Sequence, residues 1–314
     1  MPRKRCRPVF GRRADTTDFM SKGFLATLAS CAPIYANAWI IVSLGALLEA
    51  FPLAHKAVTG IQGGIVFAGF SISLICLVFS HGGPSYALRE LRRLGDSAVS
   101  SELFSGMLFA ASLASSLFIV AGLFGMTLVW KAPLAFSAVL AALFVLFEGL
   151  AFRRPVSAMP RSAPLVLKRP IANVLGAFCV AGALSASLLV PSSGIRTAFV
   201  VIELILCFVL AFAHLCNAHL GVVPGASRRY GCRGAIRIAC VAGGSILWGY
   251  GMLASGADSC VAVGAVLVVA SLAACGVLRA IRTPASREGG IVPRLRWREV
   301  RGEGDGRWSM IHGW

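Results

Sequence analysis

The 30 lysine and arginine residues fall almost entirely on one side of a repeating hydrophobic pattern, and this asymmetry constrains the fold more than any other feature. Eight apolar stretches are long enough to cross a hydrocarbon core of roughly 30 Å at about 1.5 Å per helical residue. They cover approximately residues 24–50, 57–80, 103–129, 132–152, 171–190, 197–218, 235–255 and 259–281. If the segments between them alternate between two sides, 27 basic residues share one side, and only Lys56, Lys131 and Arg196 lie on the other. The positive-inside rule then predicts that both termini are cytosolic.

Composition indicates the same class of protein. The hydrophobic fraction is 57 % and the mean hydropathy is +0.78, whereas apolar residues including Gly make up about 45 to 50 % of a soluble domain. The sequence therefore predicts an all-α, polytopic membrane bundle of about eight transmembrane helices. Its predicted parts are a basic cytosolic arm (1–23), helices 1–4 (24–152), a basic Pro-rich cytosolic loop (153–170), helices 5–8 (171–282) and a polar Arg/Trp-rich cytosolic tail (283–314).

The net charge of +17 does not require a nucleic-acid partner, because the membrane topology already accounts for it. Basic segments beside the inner leaflet attract anionic lipids. The residues predicted to make these contacts are Arg153, Arg154, Lys168, Arg169, Arg228 and Arg229. In the tail, Arg and Trp alternate in a composition suited to an anionic interface; a tail without a specific partner is the alternative.

The N-terminus allows two interpretations. A basic region, the apolar run that begins at Phe24 and the triplet Ala36-Asn37-Ala38 imitate a cleavable signal peptide. The apolar run nevertheless continues through Trp39 to Leu48, which favours an uncleaved first span.

The Pro-rich loop divides the chain into four spans and four spans. Pro84, with an Arg-rich stretch after it, lies 140 residues before Pro224, which also precedes an Arg-rich stretch. Both prolines follow the second span of their half. Parallel repeats of this kind occur in transporters, so an internal repeat is one hypothesis and a chance correspondence is the other.

Small residues recur at four-residue spacing inside four spans. Such rows allow helix backbones to approach closely in lipid. We expect them to pack within the chain, with homo-oligomerisation through one row as the alternative. The rows are Gly60/Gly64/Ala68, Gly106/Ala110/Ala114, Ala177/Ala181/Ser185 and Ala235/Ala239/Gly243.

The most suggestive polar group lies in the sixth span, where Glu203, Cys207, Leu210, His214 and Asn217 follow each other at helical spacing. That spacing predicts one shared helical face. An ionisable residue inside a span is by default a candidate functional residue. This face has two interpretations. It is a functional site, either a proton or cation relay or the polar wall of a solute path, or its polar groups only pair or hydrogen-bond with neighbours inside the bundle.

Other charged residues near the membrane have a structural interpretation. Glu148 lies close in sequence to Arg153 and Arg154 and is expected to pair with them near the headgroups. The sequence has no Cys-x-x-Cys, no phosphate-loop lysine motif and no Gly-x-Ser-x-Gly elbow. We therefore expect no enzyme activity, no cofactor and no metal site.

Three features of the chain occur together in one known family. They are Lys22-Gly23-Phe24 before the first span, the hydrophilic loop between two sets of spans, and residues 232–237 leading into a glycine-rich span that ends with Gly249-Tyr250-Gly251. In these features the chain resembles the multi-spanning envelope proteins encoded in the unique-long region of alphaherpesviruses. The resemblance implies a non-catalytic component of the virion envelope and host membranes that modulates fusion or envelope-protein trafficking, with other envelope proteins as partners. A small-solute or ion transporter that uses the face of Glu203 is the alternative function.

Overall fold

The computed structural model describes residues 24–25, 27–48, 56–80, 83–92, 98–122, 131–153, 163–188, 193–219, 228–254 and 258–274. These residues form α-helices and no strand, so the predicted all-α fold is confirmed. The helices are α1 Ala32–Leu47, α2 Lys56–Ser80, α3 Pro84–Leu91, α4 Ala98–Gly122, α5 Lys131–Arg153, α6 Ala163–Leu188, α7 Ser193–His219, α8 Arg228–Leu253 and α9 Asp258–Ala273. The predicted terminal arm and tail lie outside the described residues.

Seven helical segments are long and apolar enough to cross a membrane, and the chain is a multi-pass membrane protein. They correspond to the first seven predicted spans. The eighth predicted span, 259–281, corresponds to α9, which is apolar but only 16 residues long in the described part of the chain. Residues 275–281 lie outside that part.

The helix ends agree with the predicted distribution of charge. Lys56 and Lys131 begin α2 and α5, and Arg196 lies in the first turn of α7. In an up-and-down bundle these three helix starts share one end, which we call the opposite end. The other end, where α5 finishes and α6 begins, is called the basic end. The assignment of the basic end to the cytosol stays a prediction.

One helix was not expected. The sequence places residues 84–91 in a loop, yet they form α3, which packs against α4 and the end of α2. Gly83 precedes it with φ of 88°, a backbone conformation that a side chain would disfavour, and Pro84 occupies the first turn. Arg89 and Arg92 are exposed at the end of this helix.

The predicted boundaries of the central loop, 153–170, differ from the structure. Arg153 still belongs to α5, and α6 already begins at Ala163, so that only 154–162 separates the two helices. Pro164 is tolerated because the N–H groups of the first helical turn have no acceptor within the helix, so that a residue without an N–H loses no hydrogen bond there. Pro170 lies inside α6, where it removes one backbone hydrogen bond without ending the helix.

The membrane helices pack as two rings of four. In the first half, α1 and α4 each contact both α2 and α5. In the second half, α6 and α8 each contact both α7 and α9. The rings join mainly through α1 and α6. Along α6, no residue from 171 to 186 is exposed, so this helix lies at the centre of the molecule.

The interior of the first half is aromatic. The Phe70 ring lies edge-on to Phe109 and Phe144, with centroid distances of 4.7 and 5.1 Å. Trp39 of α1 is also buried, and its Nε1–H donates to Ser137 Oγ of α5 at 2.9 Å. The half is thus packed with bulky side chains.

The small-residue rows have a mixed outcome. Ala177, Ala181 and Ser185 are buried, and Gly106 packs against Leu74 and Phe144. The first and fourth rows are not buried within the chain, since Ala68 and all of Ala235/Ala239/Gly243 are exposed. Homo-oligomerisation through one of these rows stays a prediction. The close approaches are made instead by neighbouring glycines: Gly63, Gly69 and Gly244.

Candidate functional site

The structure describes three residues of the face predicted around Glu203: Glu203, Cys207 and Leu210. Glu203 is 1 % exposed, Leu210 is buried and Cys207 is half-buried. The other side of α7 is covered by large apolar side chains that are exposed on the bundle, as expected for a lipid-facing surface. These are Val201, Ile205, Phe208 and Phe212.

Three helices converge on the carboxyl group of Glu203. Cys179 Sγ of α6 donates to Glu203 Oε1 at 2.8 Å, and Ser245 Oγ of α8 donates to the same oxygen at 2.9 Å. Cys207, one turn after Glu203, lies within hydrogen-bonding reach of Ser245. The site is therefore a polar junction inside the second ring.

Trp248 fixes the Cys179 side of the junction. Its indole Nε1–H donates to the backbone carbonyl of Cys179 at 3.1 Å, and its side chain is fully buried. The indole lies against Gly182, where any Cβ atom would collide with it. The absence of a side chain at Gly182 thus makes room for the ring that positions Cys179.

The second oxygen of the carboxyl group is unusual. Glu203 Oε2 is buried and has no hydrogen-bond partner in the described part of the structure. A buried polar atom without a partner is costly in hydrocarbon. Two chemical uses fit this arrangement: an interhelix link through Oε1, and uptake of a proton or contact with a cation at Oε2.

A resident metal ion does not fit the described residues, since no group of three His, Cys, Asp or Glu side chains is suitably placed among them. Cys179 and Glu203 supply only one thiol and one carboxyl in direct contact. The junction offers too few ligands for a structural metal site, which takes about four.

Several predicted site residues lie beyond what the structure describes. His214 and Asn217 belong to α7, but their side chains are outside the described part. The same holds for the side chains of Arg153, Lys168, Arg228 and Arg229, which lie in helices. Arg154 lies outside the described residues altogether. The extension of the polar face and most of the lipid contacts stay predictions.

Arg169, which is predicted to contact anionic lipid, also has a partner inside the protein. It forms an ion pair with Glu148, and its side chain is only 19 % exposed. The pairing that the sequence suggested for Glu148, with Arg153 and Arg154, was based on proximity along one helix. Arg169 of α6 is thus one partner of Glu148, and the predicted pairing with Arg153 and Arg154 lies outside the described side chains.

The sequence analysis assigned no role to several buried residues that can hydrogen-bond, among them Cys179, Ser245 and Glu102. Cys179 and Ser245 are the partners of Glu203, and nothing in their local sequence distinguishes them from other polar residues in the spans. Glu102 is 2 % exposed because α4 begins at Ala98 rather than at 103. The sequence did contain a signal for the earlier start of α4, because the residues from Ala98 onward are already small or apolar.

Comparison with protein-family models, curated proteins and solved structures finds no match to this chain. The geometry of the helices and of the Glu203 junction is therefore the basis for the functional proposals.

Proposed function

We propose that this protein is a non-catalytic multi-pass membrane component that acts through contacts of its helices and basic segments. The observation that carries this proposal is the filling of the first ring by aromatic side chains, together with the burial of Trp248 in the second ring. Trp39, Phe70, Phe109, Phe144 and Trp248 are each at most 1 % exposed. A solute path needs a water-filled or polar-lined passage, and in the described residues these interior positions are occupied by aromatic rings.

The sequence resemblance extends the proposal to the envelope of an alphaherpesvirus and the membranes of its host. In that setting the protein modulates membrane fusion or the trafficking of envelope proteins. The exposed Arg89 and Arg92 at the end of α3 support a role for the basic end, because basic residues beside a membrane attract anionic lipids.

Expression of the full chain together with the fusion proteins of such a virus tests this function. We expect the area of fused cells to change with the amount of protein expressed, and the protein to be present in purified particles. An unchanged fused area, together with absence from the particles, contradicts the proposal.

The lipid contact is tested separately in nanodiscs that contain phosphatidylserine. Changing Arg89 and Arg92 to Gln is expected to reduce the anionic lipid retained by the protein, since each basic residue near the surface contributes about 1 kcal/mol. The matched control changes Lys131 and Arg196 to Gln, which removes the same charge from the opposite end. Equal losses in both variants would refute specific contact at the basic end.

A proton-linked transporter or channel is the second candidate function, and the unpartnered Glu203 Oε2 favours it. In proteoliposomes, Glu203→Gln is then expected to abolish pH-coupled flux while the protein remains folded. Ser245→Ala, which keeps the carboxyl group, serves as the control. Absence of solute flux with the unmodified protein would eliminate this candidate.

A further inference from the structure

Gly83 separates the short helix α3 from the membrane helix α2. Its φ of 88° lies in the region that favours glycine. Its N–H donates to the Val78 carbonyl of α2 at 3.1 Å, and its own carbonyl accepts from Ala87 N of α3 at 3.2 Å. One residue thus closes α2 and opens α3, so α3 is a separate helix of eight residues, about 12 Å long, rather than a continuation of the span.

One side of α3 is packed against the bundle. Ala87 is 8 % exposed and Leu91 is half-buried, and both pack against the core. The helices that they meet are α4 and α2. Glu90, the acidic residue of α3, is half-buried and lies toward the same side. The opposite side of α3 therefore decides what this helix contacts outside the bundle.

The exposed side of α3 has an apolar edge and a cationic edge. Successive helical residues are about 100° apart around the axis, which places Pro84 and Leu88 in one row and Ser85 and Arg89 in the next. Arg92 lies between the two rows. All five residues are exposed, and Leu88 is 61 % exposed. Helices that lie in a membrane interface have this division, with the apolar edge toward the acyl chains and basic residues at the headgroups.

The position of α3 in the chain places this surface at the edge of the membrane. The preceding span, Val58–Phe79, ends five residues before Pro84, and it ends at the basic end of the bundle. The two exposed arginines beside Leu88 complement the phosphate groups of anionic lipids, which arginine binds through parallel hydrogen bonds. Position and charge together favour lipid as the neighbour of this surface.

We infer that α3 lies in the plane of the membrane, with Leu88 among the acyl chains and with Arg89 and Arg92 against the phosphate groups of anionic lipids. The inference rests on the proposed contact between the basic end and anionic lipid, and it adds the helix that makes this contact and the depth at which it lies. The connection between α2 and α4 then docks more closely on an anionic surface than on a neutral one.

Power-saturation electron paramagnetic resonance of the full chain, in nanodiscs that contain phosphatidylserine, measures the depth of α3. A nitroxide is attached at Leu88 or at Ser85 through an unnatural amino acid, because the chain has ten native cysteines. Molecular oxygen reports contact with lipid, and a water-soluble nickel chelate reports contact with water. We expect the label at Leu88 to lie about 5 to 10 Å below the phosphate groups, and the label at Ser85 to lie at their level. Phe208, which is 72 % exposed in the middle of α7, gives the reference for hydrocarbon.

The cationic edge is tested with the label at Leu88. Arg92→Gln is expected to move this label toward water, and so is replacement of phosphatidylserine by phosphatidylcholine. Arg196→Gln is the matched control, because it removes one positive charge at the opposite end and should leave the label in place. The change of lipid needs no substitution, so it remains decisive if a variant aggregates.

The apolar edge is tested with the label at Ser85. Leu88→Gln is expected to increase the contact of this label with the nickel chelate, since the helix loses the side chain that enters the acyl region. Leu88→Ile keeps an apolar side chain of the same size and should leave the contact unchanged. Both substitutions are at an exposed position, which makes a loss of folding an unexpected result.

Equal access of the chelate to the labels at Leu88 and Ser85 overturns the inference. A label at Leu88 that is shielded from both probes also overturns it, because protein rather than lipid would then cover α3. So does a depth that is the same in phosphatidylcholine. A water-exposed label at Leu88, in a protein whose lipid retention still depends on Arg89 and Arg92, contradicts this inference alone. An immersed label, in a protein that changes neither fusion nor particle composition, contradicts the proposed function alone.

Discussion

The two halves of this protein share one ring of helix contacts but fill it with different chemistry. The first half is locked by edge-to-face phenylalanines from α2, α4 and α5. The second half is locked by a buried carboxyl group that links α6, α7 and α8, and by a backbone crossing of α8 and α9 at Gly244 and Gly264. The same topology therefore does not depend on the same core: short connections and complementary large and small residues are sufficient in lipid.

The largest effect is expected in the aromatic core. Phe70→Ala removes the ring that touches both Phe109 and Phe144 and leaves a cavity, which lowers the free energy of unfolding by about 3 to 5 kcal/mol. Denaturant unfolding in detergent measures the loss. The control is Phe118→Ala on α4, since Phe118 is 81 % exposed and leaves no cavity. Similar losses in both variants would mean that the cluster does not lock the first half.

The backbone crossing of the second half comes next. At Gly264 an added Cβ would lie 2.6 Å from Trp248 N and 2.7 Å from Gly244 O, and these backbone atoms cannot move aside easily. Gly264→Ala is therefore expected to lower the free energy of unfolding by about 1 to 3 kcal/mol. Thermal unfolding followed by size-exclusion chromatography measures it.

Gly243→Ala is the control for this crossing, because its added methyl group meets nothing within 4 Å. Replacing a helical glycine by alanine there is expected to be neutral or to stabilise by up to about 1 kcal/mol. A stable Gly264→Ala protein would show that α8 and α9 separate without penalty.

The Glu203 junction is expected to contribute an amount of the same order as the backbone crossing. Glu203→Leu leaves Cys179 and Ser245 without their shared acceptor, and an unsatisfied buried donor costs about 1 to 3 kcal/mol. Glu203→Gln retains an oxygen acceptor and should cost clearly less when the two are compared by thermal unfolding. If the Leu and Gln variants lose the same stability, the hydrogen bonds of the carboxyl group do not stabilise the second ring. The two halves would then not differ in the way proposed.

The smallest effects are expected at the two buried tryptophans, Trp39 and Trp248. Trp39→Phe loses the bond to Ser137 Oγ, and Trp248→Phe loses the bond to a backbone carbonyl, each worth about 1 kcal/mol. Only the first acceptor can be deleted, so Ser137→Ala should make the Trp39→Phe change less costly in a double-mutant cycle of unfolding free energies. Additive losses would argue against the Trp39–Ser137 bond.

The sequence predicted the spans because helix length and hydropathy are properties of a single segment. It also placed Glu203 and Leu210 on one shared face of α7, because of the 3.6-residue period, but it left open whether that face lines a path or is buried. It did not predict that Cys179 and Ser245 meet Glu203, because these contacts depend on the order in which helices close the ring.

Two further differences have the same physical origin. The close approach in α8 occurs at Gly244 rather than at Gly243, and one residue rotates a helix position by about 100°. Glu148 pairs with Arg169, a partner that the sequence analysis did not name, because this neighbour in space belongs to another helix. The helical period shows which residues share a face, but which residues they contact depends on how the helices pack.

The order of helices along the chain also has a consequence for biosynthesis. Of the seven spans, that of α7 is the least buried, at 17 %, and a strongly apolar helix of this kind remains in the bilayer by itself. Ser245 follows Glu203 by 42 residues, whereas Cys179 precedes it by 24. When α7 leaves the translocon, the carboxyl group therefore has one donor already in the membrane and waits for the second until α8 has been synthesised.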